Sequence, residues 1–391
     1  MAQSIVAQTL TDLELSEIRV TTTDLVKAGI EPEEPLKCIE WAARHRLISN
    51  SKSCPDCGES MNFRPRQDIS DGYTWRCSSG PCRKRLSIRD GSFFSKSKLP
   101  LWKLIRFIYL WTVDSLGNVI MHELDISEKT VIDWNNFLRD VCQSYVRDWQ
   151  MPIGGRDEAG QRKIVEIDES LFFKSKYNRG RRRERQWVFG GVERGESDNC
   201  FFVCVPDRTR GTLLSAIQDN IQPGSIIVSD EWRAYNDIPE IPDGDYIHWT
   251  VNHSVNFVNP NNPDAHTQTI ENTWGRIKRS YRRLCGTSEQ LFETYIFQFI
   301  FKQHYPFPST FGNILYWIQN YYPVWVFTFL ALYTVLLDQL YIMALTIRIC
   351  IDFENLIYVW PGTHDYLLFL SFAGCLQPKN IEKRYKKKRV V

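Results

Sequence analysis

Short apolar runs with strand-like alternation concentrate between residues 163 and 285 of this 391-residue chain. Three of them, KIVEIDESLFF, QWVFGGVERG and CFFVCVPD, are separated by short polar or glycine-containing segments, which predicts an antiparallel meander. A helix over Arg210–Ile221, a fourth strand in SIIVSDEW, a fifth in YIHWTVNH and a long helix from near His266 follow. This order predicts an α/β fold built on one mixed sheet.

Helical periodicity dominates residues 96–150. Ser127 is a suitable N-cap for a helix whose apolar positions recur at intervals of three and four residues. These positions are Val131, Trp134, Leu138, Val141 and Tyr145. Asn118–His122 predicts the preceding helix, with Glu123–Ile126 as the turn. The pattern fits a DNA-binding helix-turn-helix or an ordinary packed pair of helices.

The two ends of the chain differ in kind. Residues 1–50 predict a small helical lead-in. Residues 306–378 hold 17 aromatic and five charged side chains, and Tyr322–Met343 is long enough to cross a membrane, although Asp338 opposes insertion. We consider a membrane span, a hydrophobic segment translated from non-coding sequence, and a packed helical extension. The basic tail, residues 379–391, fits a nuclear import signal, loose DNA contact or a solvated end.

Composition sets broad limits. Hydrophobic residues make up 43% of the chain and charged residues 24%, which is typical of folded proteins and excludes wholesale disorder. The net charge of +2 says nothing by itself about nucleic acid. Eleven cysteines are too sparse for a disulfide scaffold and favour a reduced compartment. No basic region followed by an apolar run stands at the N-terminus, so we expect no secretory signal.

Four cysteines have the spacing of a metal site. Cys54 and Cys57 lie in CPDC, and Cys77 and Cys82 follow in CSSGPC. Two close pairs at this separation predict a zinc ribbon over residues 51–95, with one structural Zn²⁺ held by four thiolates and no open position for catalysis. The alternatives are four unrelated cysteines or a redox CxxC.

Three acids mark a candidate catalytic centre. Asp168 and Asp230 end apolar strand runs, and Glu271 falls early in the last long helix of the α/β region. Neighbouring strands and a helix crossing the sheet bring such residues together. Carboxylates converging at strand ends suit Mg²⁺ or Mn²⁺, the ions of phosphoryl-transfer sites.

Basic residues flank this centre on both sides. The run KSKYNRGRRRER follows the first strand, and a helix rich in arginine and lysine follows Glu271. A solvated charged loop is the alternative to a phosphate-tracking surface. The predicted DNA-binding residues are Lys174, Lys176, Arg181, Arg182, Arg183, Arg276, Lys278, Arg279 and Arg282.

Longer motifs carry a family resemblance. VEIDES, SDEWRAY and VNHSVNFVNPNNPDAHTQTIENTWGRIKR resemble the catalytic domain of the ISXO2-like DDE transposases of the Merlin superfamily. CPDCG, the WRC…C pair, SIRDGSFF and SEKTVIDWNNFLRDVC agree with it upstream, so the resemblance covers roughly residues 50–305.

The resemblance implies an RNase H-like catalytic domain over residues 156–305, preceded by the zinc ribbon and helix-turn-helix. It makes Asp168, Asp230 and Glu271 the DDE acids that hold Mg²⁺ or Mn²⁺. His253 and His266 fall in its VNHS and HTQ segments. They are expected near the metal or the scissile phosphate, or else as structural histidines.

The implied activity is cut-and-paste transposition. Water first hydrolyses a phosphodiester at the transposon end, and the exposed 3′-hydroxyl then attacks target DNA, with no covalent protein nucleophile. The expected partners are double-stranded DNA, as terminal inverted repeats and target, and further copies of the chain. We expect nuclear localisation and no membrane partner. The alternative is a domesticated, catalytically silent DNA-binding protein derived from such a transposase.

Overall fold

The computed structural model describes residues 3–149, 151–173, 186–195, 199–252, 263–283 and 288–324. All of them belong to one unit, Met1–Val326. Several predicted features lie outside the described residues. These are Lys174, Lys176, Arg181, Arg182, Arg183, His253, most of the hydrophobic segment 306–378 and the basic tail 379–391.

Three short helices precede a small antiparallel sheet. The helices are α1 (Asp12–Ser16), α2 (Thr22–Lys27) and α3 (Pro35–Arg44). Thr11 and Thr21 begin α1 and α2 with reciprocal capping boxes, which satisfy backbone N–H groups at each start. The sheet has the order β1–β2–β3, with β1 (Met61–Pro65), β2 (Tyr73–Cys77) and β3 (Arg85–Ser87).

Three longer helices follow, α4 (Leu101–Thr112), α5 (Gly117–Leu124) and α6 (Glu128–Trp149). Asp125 adopts the left-handed conformation that ends α5, and the Ser127 hydroxyl accepts the Thr130 N–H at the start of α6. All five predicted apolar positions of α6 are buried. The predicted pair of helices is therefore present, and its DNA-binding role remains a prediction.

A five-stranded sheet follows in the order β10–β9–β5–β6–β7. Its strands are β5 (Ile164–Phe172), β6 (Gln186–Glu193), β7 (Cys200–Val205), β9 (Ile226–Asp230) and β10 (Ile247–Val251). β5, β6 and β7 are antiparallel, whereas β9 pairs in parallel with both β5 and β10. The predicted mixed sheet is confirmed. β4 (Ile153–Gly154) and β8 (Ile221–Gln222) form a separate two-residue ladder.

Helices cover both faces of this sheet. On one face, α7 (Arg210–Asn220) packs Leu213 and Ile217 into a core with Ile167 and Phe189. On the other face lie α8 (Gln268–Arg283) and α9 (Glu289–His304). This second core is continuous with that of the small sheet β1–β3 and α3–α6, so one apolar cluster joins the N-terminal segments to the five-stranded sheet.

The last described helix, α10 (Thr310–Tyr321), extends this core beyond the family resemblance. Phe311, Ile314 and Leu315 are buried, and the Asn313 side chain donates to the Ser16 carbonyl at the end of α1. The sequence-based boundary at 306 is thus not a structural boundary, because residues 306–324 pack as a helical extension. Among the described residues, no helix has both the length and the apolarity to cross a membrane.

Candidate active site and metal centre

Asp168 and Asp230 lie at equivalent levels on adjacent strands. The parallel pairing of β5 and β9 ends at Glu166 opposite Val228, and each aspartate comes two residues later. Side chains two residues apart share a face of a sheet, so both aspartates belong to the face that α8 covers. The Trp232 backbone N–H donates to Asp230 Oδ1 at 3.0 Å, which fixes one carboxylate oxygen.

Glu271 reaches this face because α8 packs closely on the sheet. Gly190 lies opposite Asp168 on β6, and a Cβ there would come within 2.4 Å of the Phe202 ring and 3.1 Å of the Trp274 ring. Glycine therefore leaves room for Trp274 of α8 against the strand. Glu271 is in the first turn of α8, where Thr267 Oγ1 donates to its Oε1 at 3.0 Å.

A fourth acid, Glu166, holds the start of α8. Its side chain is fully buried, and its Oε2 accepts the backbone N–H groups of Thr269 at 2.7 Å and Ile270 at 3.1 Å. The first N–H groups of a helix have no intrahelical partner, so this carboxylate caps α8 from strand β5. Sequence reasoning missed Glu166. The available indication was an acid at an inward position of the apolar run IVEID.

Arg194 and His266 complete the surroundings of Glu166. The Arg194 guanidinium donates to Glu166 Oε1 through Nε at 3.0 Å and Nη2 at 2.9 Å, and to the carbonyls of Asp264 and His266. His266 Nδ1 lies 3.4 Å from Glu166 Oε1. The observed contacts of His266 therefore join the segment before α8 to the buried carboxylate.

Burial and the charges of the other two acids act on Asp168. Burial raises the pKa of Asp168 to about 6, and the charges of Asp230 and Glu271 add to the rise. A backbone N–H and the ammonium of Lys278 oppose it. Asp168 thus lies in a concentration of negative charge that a divalent cation would neutralise, and oxygen donors of this kind suit Mg²⁺ or Mn²⁺.

The four cysteines are brought together as predicted. Their four sulfur atoms all lie within 4.8 Å of one another. Cys54 Sγ lies 3.5 Å from Cys82 Sγ, and Cys57 Sγ lies 3.4 Å from Cys77 Sγ. Zinc–sulfur bonds of about 2.3 Å give tetrahedral edges of roughly 3.8 Å, so the quartet fits one ion after a small adjustment.

Each cysteine sulfur also accepts a backbone N–H from two residues further along the chain. The donors are Asp56 for Cys54, Glu59 for Cys57, Ser79 for Cys77 and Lys84 for Cys82. Burial opposes ionisation of Cys54, yet the backbone bonds and the Cys82 thiol lower its pKa to about 7. Amide donors directed at sulfur stabilise thiolates, the form that binds zinc.

The basic residues of α8 fall on two flanks, whereas the sequence analysis treated them as one surface. Successive helical residues are about 100° apart, so intervals of three, four and seven share a side. Lys278 and Arg282 follow Glu271 by seven and eleven residues and lie on its flank. Arg276, Arg279 and Arg283 lie on the other flank, and the buried positions between the flanks are Ile270, Thr273, Trp274 and Ile277.

Comparison with known proteins shows which family the chain belongs to. The family described as the ISXO2-like transposase domain matches residues 160–304. An uncharacterized transposase-like protein of Haemophilus influenzae is 30% identical over 96 residues, which cover 25% of this chain and 73% of the relative.

One further sequence relative and one solved structure are similar to part of this chain. Male abnormal protein mab-31 of Caenorhabditis elegans is 29% identical over 215 residues, 50% of this chain and 48% of that protein, so the chain spans about half of this relative. A chain of the simian T-cell lymphotropic virus intasome, solved with PP2A regulatory subunit B56 gamma, has a TM-score of 0.25 and 12% identity, covering 50% of this chain and 67% of that one. That structural likeness is too distant to carry an argument. On the match to the family and the Haemophilus relative, the chain belongs to the ISXO2-like transposases.

Proposed function

We propose that the chain is a DDE transposase that cleaves DNA at transposon ends and transfers the strand to target DNA. The observation that carries the proposal is the arrangement of Asp168, Asp230 and Glu271 on one face of a mixed sheet, where burial, together with the charges of Asp230 and Glu271, raises the pKa of Asp168. The strand order, with three antiparallel strands and two parallel ones, supports an RNase H-like assignment.

The three acids would hold Mg²⁺ or Mn²⁺. Such ions supply Lewis-acid activation of the attacking oxygen and stabilise charge on the phosphoryl group. With a pKa of about 6, Asp168 is ionised at neutral pH and contributes a negative charge to cation binding. Lys278 and Arg282, on the same flank of α8, are suited to hold the phosphates of the strand being cut.

The chemistry comprises two in-line displacements at phosphorus. Water attacks the phosphodiester at the transposon end, one P–O bond breaks, and a 3′-hydroxyl is released. That hydroxyl then attacks a phosphodiester of target DNA, forming one P–O bond as another breaks. Bond energy is retained in the second step, so no cofactor beyond the cations is needed.

The N-terminal segments supply stability and DNA contact in this proposal. The cysteine quartet would hold a structural Zn²⁺, and α5–α6 would meet DNA ends. The exposed charged side chains over residues 128–140 of α6 are Glu128, Lys129, Asp133 and Asp140, which is an acidic balance. Most phosphate contacts are therefore assigned to α8. We also propose assembly of several copies on paired DNA ends, in the nucleus.

A second candidate function is that of a domesticated DNA-binding protein that no longer cuts DNA. The nematode relative favours it, because that protein is named for a male abnormality rather than for transposition. In this case the zinc ribbon and the basic helix α8 would bind DNA, and the three acids would have no catalytic role.

Nicking of DNA that carries the element's own terminal repeats tests the choice. With Mg²⁺ or Mn²⁺ we expect cleavage by the wild type and a loss of at least about a thousandfold in Asp168→Asn, because the variant removes one cation-binding charge. Arg19→Gln, remote from the sheet, is the control. Equal DNA binding by the wild type and Asp168→Asn, without cleavage by either, would establish the second candidate.

A further inference from the structure

We propose that the groove between α8 and α9 is a second DNA site, which binds backbone phosphate away from the catalytic acids. The proposal rests on the proposed function for its ligand being DNA. The groove has a cavity of about 290 Å³, wide enough for a phosphodiester group. Its lining includes Arg276, Arg279 and Arg283 from α8, and Tyr295, Gln298 and Lys302 from α9.

The arginines of this groove lie about 80–140° around α8 from Glu271, so they form a neighbouring flank rather than the opposite side of the helix. The intervals of three and four residues between Arg276, Arg279 and Arg283 place all three guanidinium groups along one side of the helix. An anion bound there would not be held by the side chains of the Glu271 flank. The site is therefore distinct from the phosphate contacts assigned to Lys278 and Arg282.

The charge balance in the groove favours an anion. Asp114 lines it, but this carboxylate bonds to the Lys302 ammonium at 2.5 Å. Arg276 donates to neutral oxygens, Gln303 Oε1 at 2.9 Å and Thr273 Oγ1 at 3.0 Å. These bonds orient the guanidinium without neutralising it, and guanidinium groups are well suited to phosphate.

One polar group in the groove lacks a partner. Gln298 Oε1 is buried and has no hydrogen-bond partner within the described part of the chain. An unpaired buried polar atom is costly, and a side-chain amide can turn its N–H donors or its oxygen toward a ligand. A phosphodiester has only acceptor oxygens, so the Gln298 amide could bond to it through its N–H groups and not through Oε1.

The groove continues toward the helix pair, which indicates a long ligand. A second cavity of about 150 Å³ shares Arg283, Tyr295 and Gln298 with the first and extends to Gly117 and Asn135, at α5 and α6. The Arg139 guanidinium lies 4.0 Å from the centre of the shared Tyr295 ring. A DNA backbone that runs from the helix pair over α8 uses both cavities, whereas a free phosphate needs one.

Duplex binding by the full chain tests this site. The probe is a fluorescein-labelled duplex of random sequence, titrated at several salt concentrations. For the double variant Arg279→Gln with Arg283→Gln we expect about tenfold weaker binding near 0.1 M salt and a salt slope lower by about two, as for two lost phosphate contacts. The control, Lys27→Gln with Lys37→Gln, removes the same charge from α2 and α3 and should leave both values unchanged.

Further measurements distinguish a DNA site from a free-anion site and from no site. Unchanged affinity and slope in the arginine variant, or an equal loss in the control, overturns the site. Calorimetry with inorganic phosphate should show no comparable binding; saturable binding lost in the variant would assign the groove to a free anion instead. Arg279→Lys keeps the charge and should retain most of the affinity. Absence of nicking by the wild type would reject the proposed function while leaving the binding result intact.

We further infer that Glu166 is a positioning residue for Glu271. Both oxygens of Glu166 face donors, namely two backbone N–H groups of α8, the Thr269 hydroxyl and the Arg194 guanidinium. A glutamine would turn an NH₂ group toward one set of these donors, so only a carboxylate satisfies the site. Because the capped turn also contains Glu271, its loss would free the acid to shift against Asp168.

Hydrogen exchange and kinetics together test this role. In Glu166→Gln we expect faster exchange at the amides of Thr269 and Ile270 and at least tenfold slower nicking at saturating DNA, with DNA affinity within twofold. Glu193→Gln is the matched control. Glu193 lies on β6, the strand next to β5, and is also buried; its carboxylate accepts hydrogen bonds from the Lys163 ammonium and the Gly154 N–H. Equal losses of nicking rate in both variants, or unchanged exchange at α8, would overturn the inference. The exchange result stands even if the wild type does not nick DNA.

Discussion

The cysteine centre and the acidic centre are built in opposite ways. The four cysteines fall between Cys54 and Cys82, and each knuckle forms its own amide–sulfur bonds within a few residues. The acids come from β5, β9 and α8, between Asp168 and Glu271, and no local turn relates them. Their arrangement depends on strand register, on the space at Gly190 and on the Glu166 cap.

This contrast shows where each centre is vulnerable. A centre defined by local knuckles is lost when one ligand is removed, and the surrounding fold is lost with it. In a centre assembled by the fold, removing one acid does not destabilise the protein, because like charges held close together oppose folding. Removing one acid should abolish chemistry while leaving the protein as stable as before, or more so.

Cys77→Ser should produce the largest effect on stability. Structural zinc contributes roughly 10 kcal/mol in small modules, and the core containing Cys77 is continuous with α3–α6. We expect loss of bound zinc by elemental analysis and a melting temperature lower by roughly 10 °C or more, the scale that a loss of several kcal/mol produces. Cys38→Ser, a buried cysteine outside the quartet, should retain zinc. Full zinc retention in Cys77→Ser would contradict the account.

Gly190→Ala should have an intermediate effect on stability. It also tests whether the packing of α8 on the sheet controls the nicking rate. The added Cβ meets the Phe202 and Trp274 rings, so α8 must move or the strand must bend. Overpacking of this kind costs about 1–3 kcal/mol, and we expect slower nicking from the displaced Glu271. Gly211→Ala, whose Cβ would meet nothing within 4 Å in helix α7, should be neutral or slightly stabilising. Urea unfolding gives the stability of both variants, and a nicking assay gives their cleavage rates.

The smallest expected effect is a pH dependence that only the acidic centre should show. The pKa of Asp168 is raised to about 6 in the folded chain from an ordinary value of 3.8, so the folded state holds this proton more tightly. Without added Mg²⁺ or Mn²⁺, the contribution of Asp168 to stability should fall as pH rises from 4 to 6; burial raises the pKa of the neighbouring Glu169 to about 7, so its own contribution falls over a higher pH range. Asp168→Asn should flatten this change in melting temperature between pH 4 and 7. An unchanged pH profile in the variant would contradict the assignment.

The features that could be predicted from the sequence are those that depend on patterns among residues close together in the chain. The strands, the buried stripe of α6 and the cysteine quartet follow from alternation, helical period and CxxC spacing. The position of Asp230 at the end of β9 was also predictable, because the apolar run ends there. Asp168, expected at a strand end, instead lies in the middle of β5, because that strand continues beyond the apolar run to Phe172.

Other features required the tertiary fold. Glu166 stands out only as an acid within an apolar run, and its partners, Thr269 and Ile270, are a hundred residues away. The separation of the α8 arginines into a second flank needed the packed side of the helix to be known. The packing of α10 near Ser16 joins opposite ends of the described chain, which no local pattern reports.

The central claim is that Asp168, Asp230 and Glu271 form a cation site. Electron paramagnetic resonance of Mn²⁺ titrated into zinc-loaded protein tests it most directly, since it needs neither DNA nor turnover. We predict saturable Mn²⁺ binding by the wild type, at least tenfold weaker binding by Asp230→Asn, and unchanged binding by Asp237→Asn, an acid on the loop that follows β9. Equal Mn²⁺ affinity in all three proteins would contradict the account.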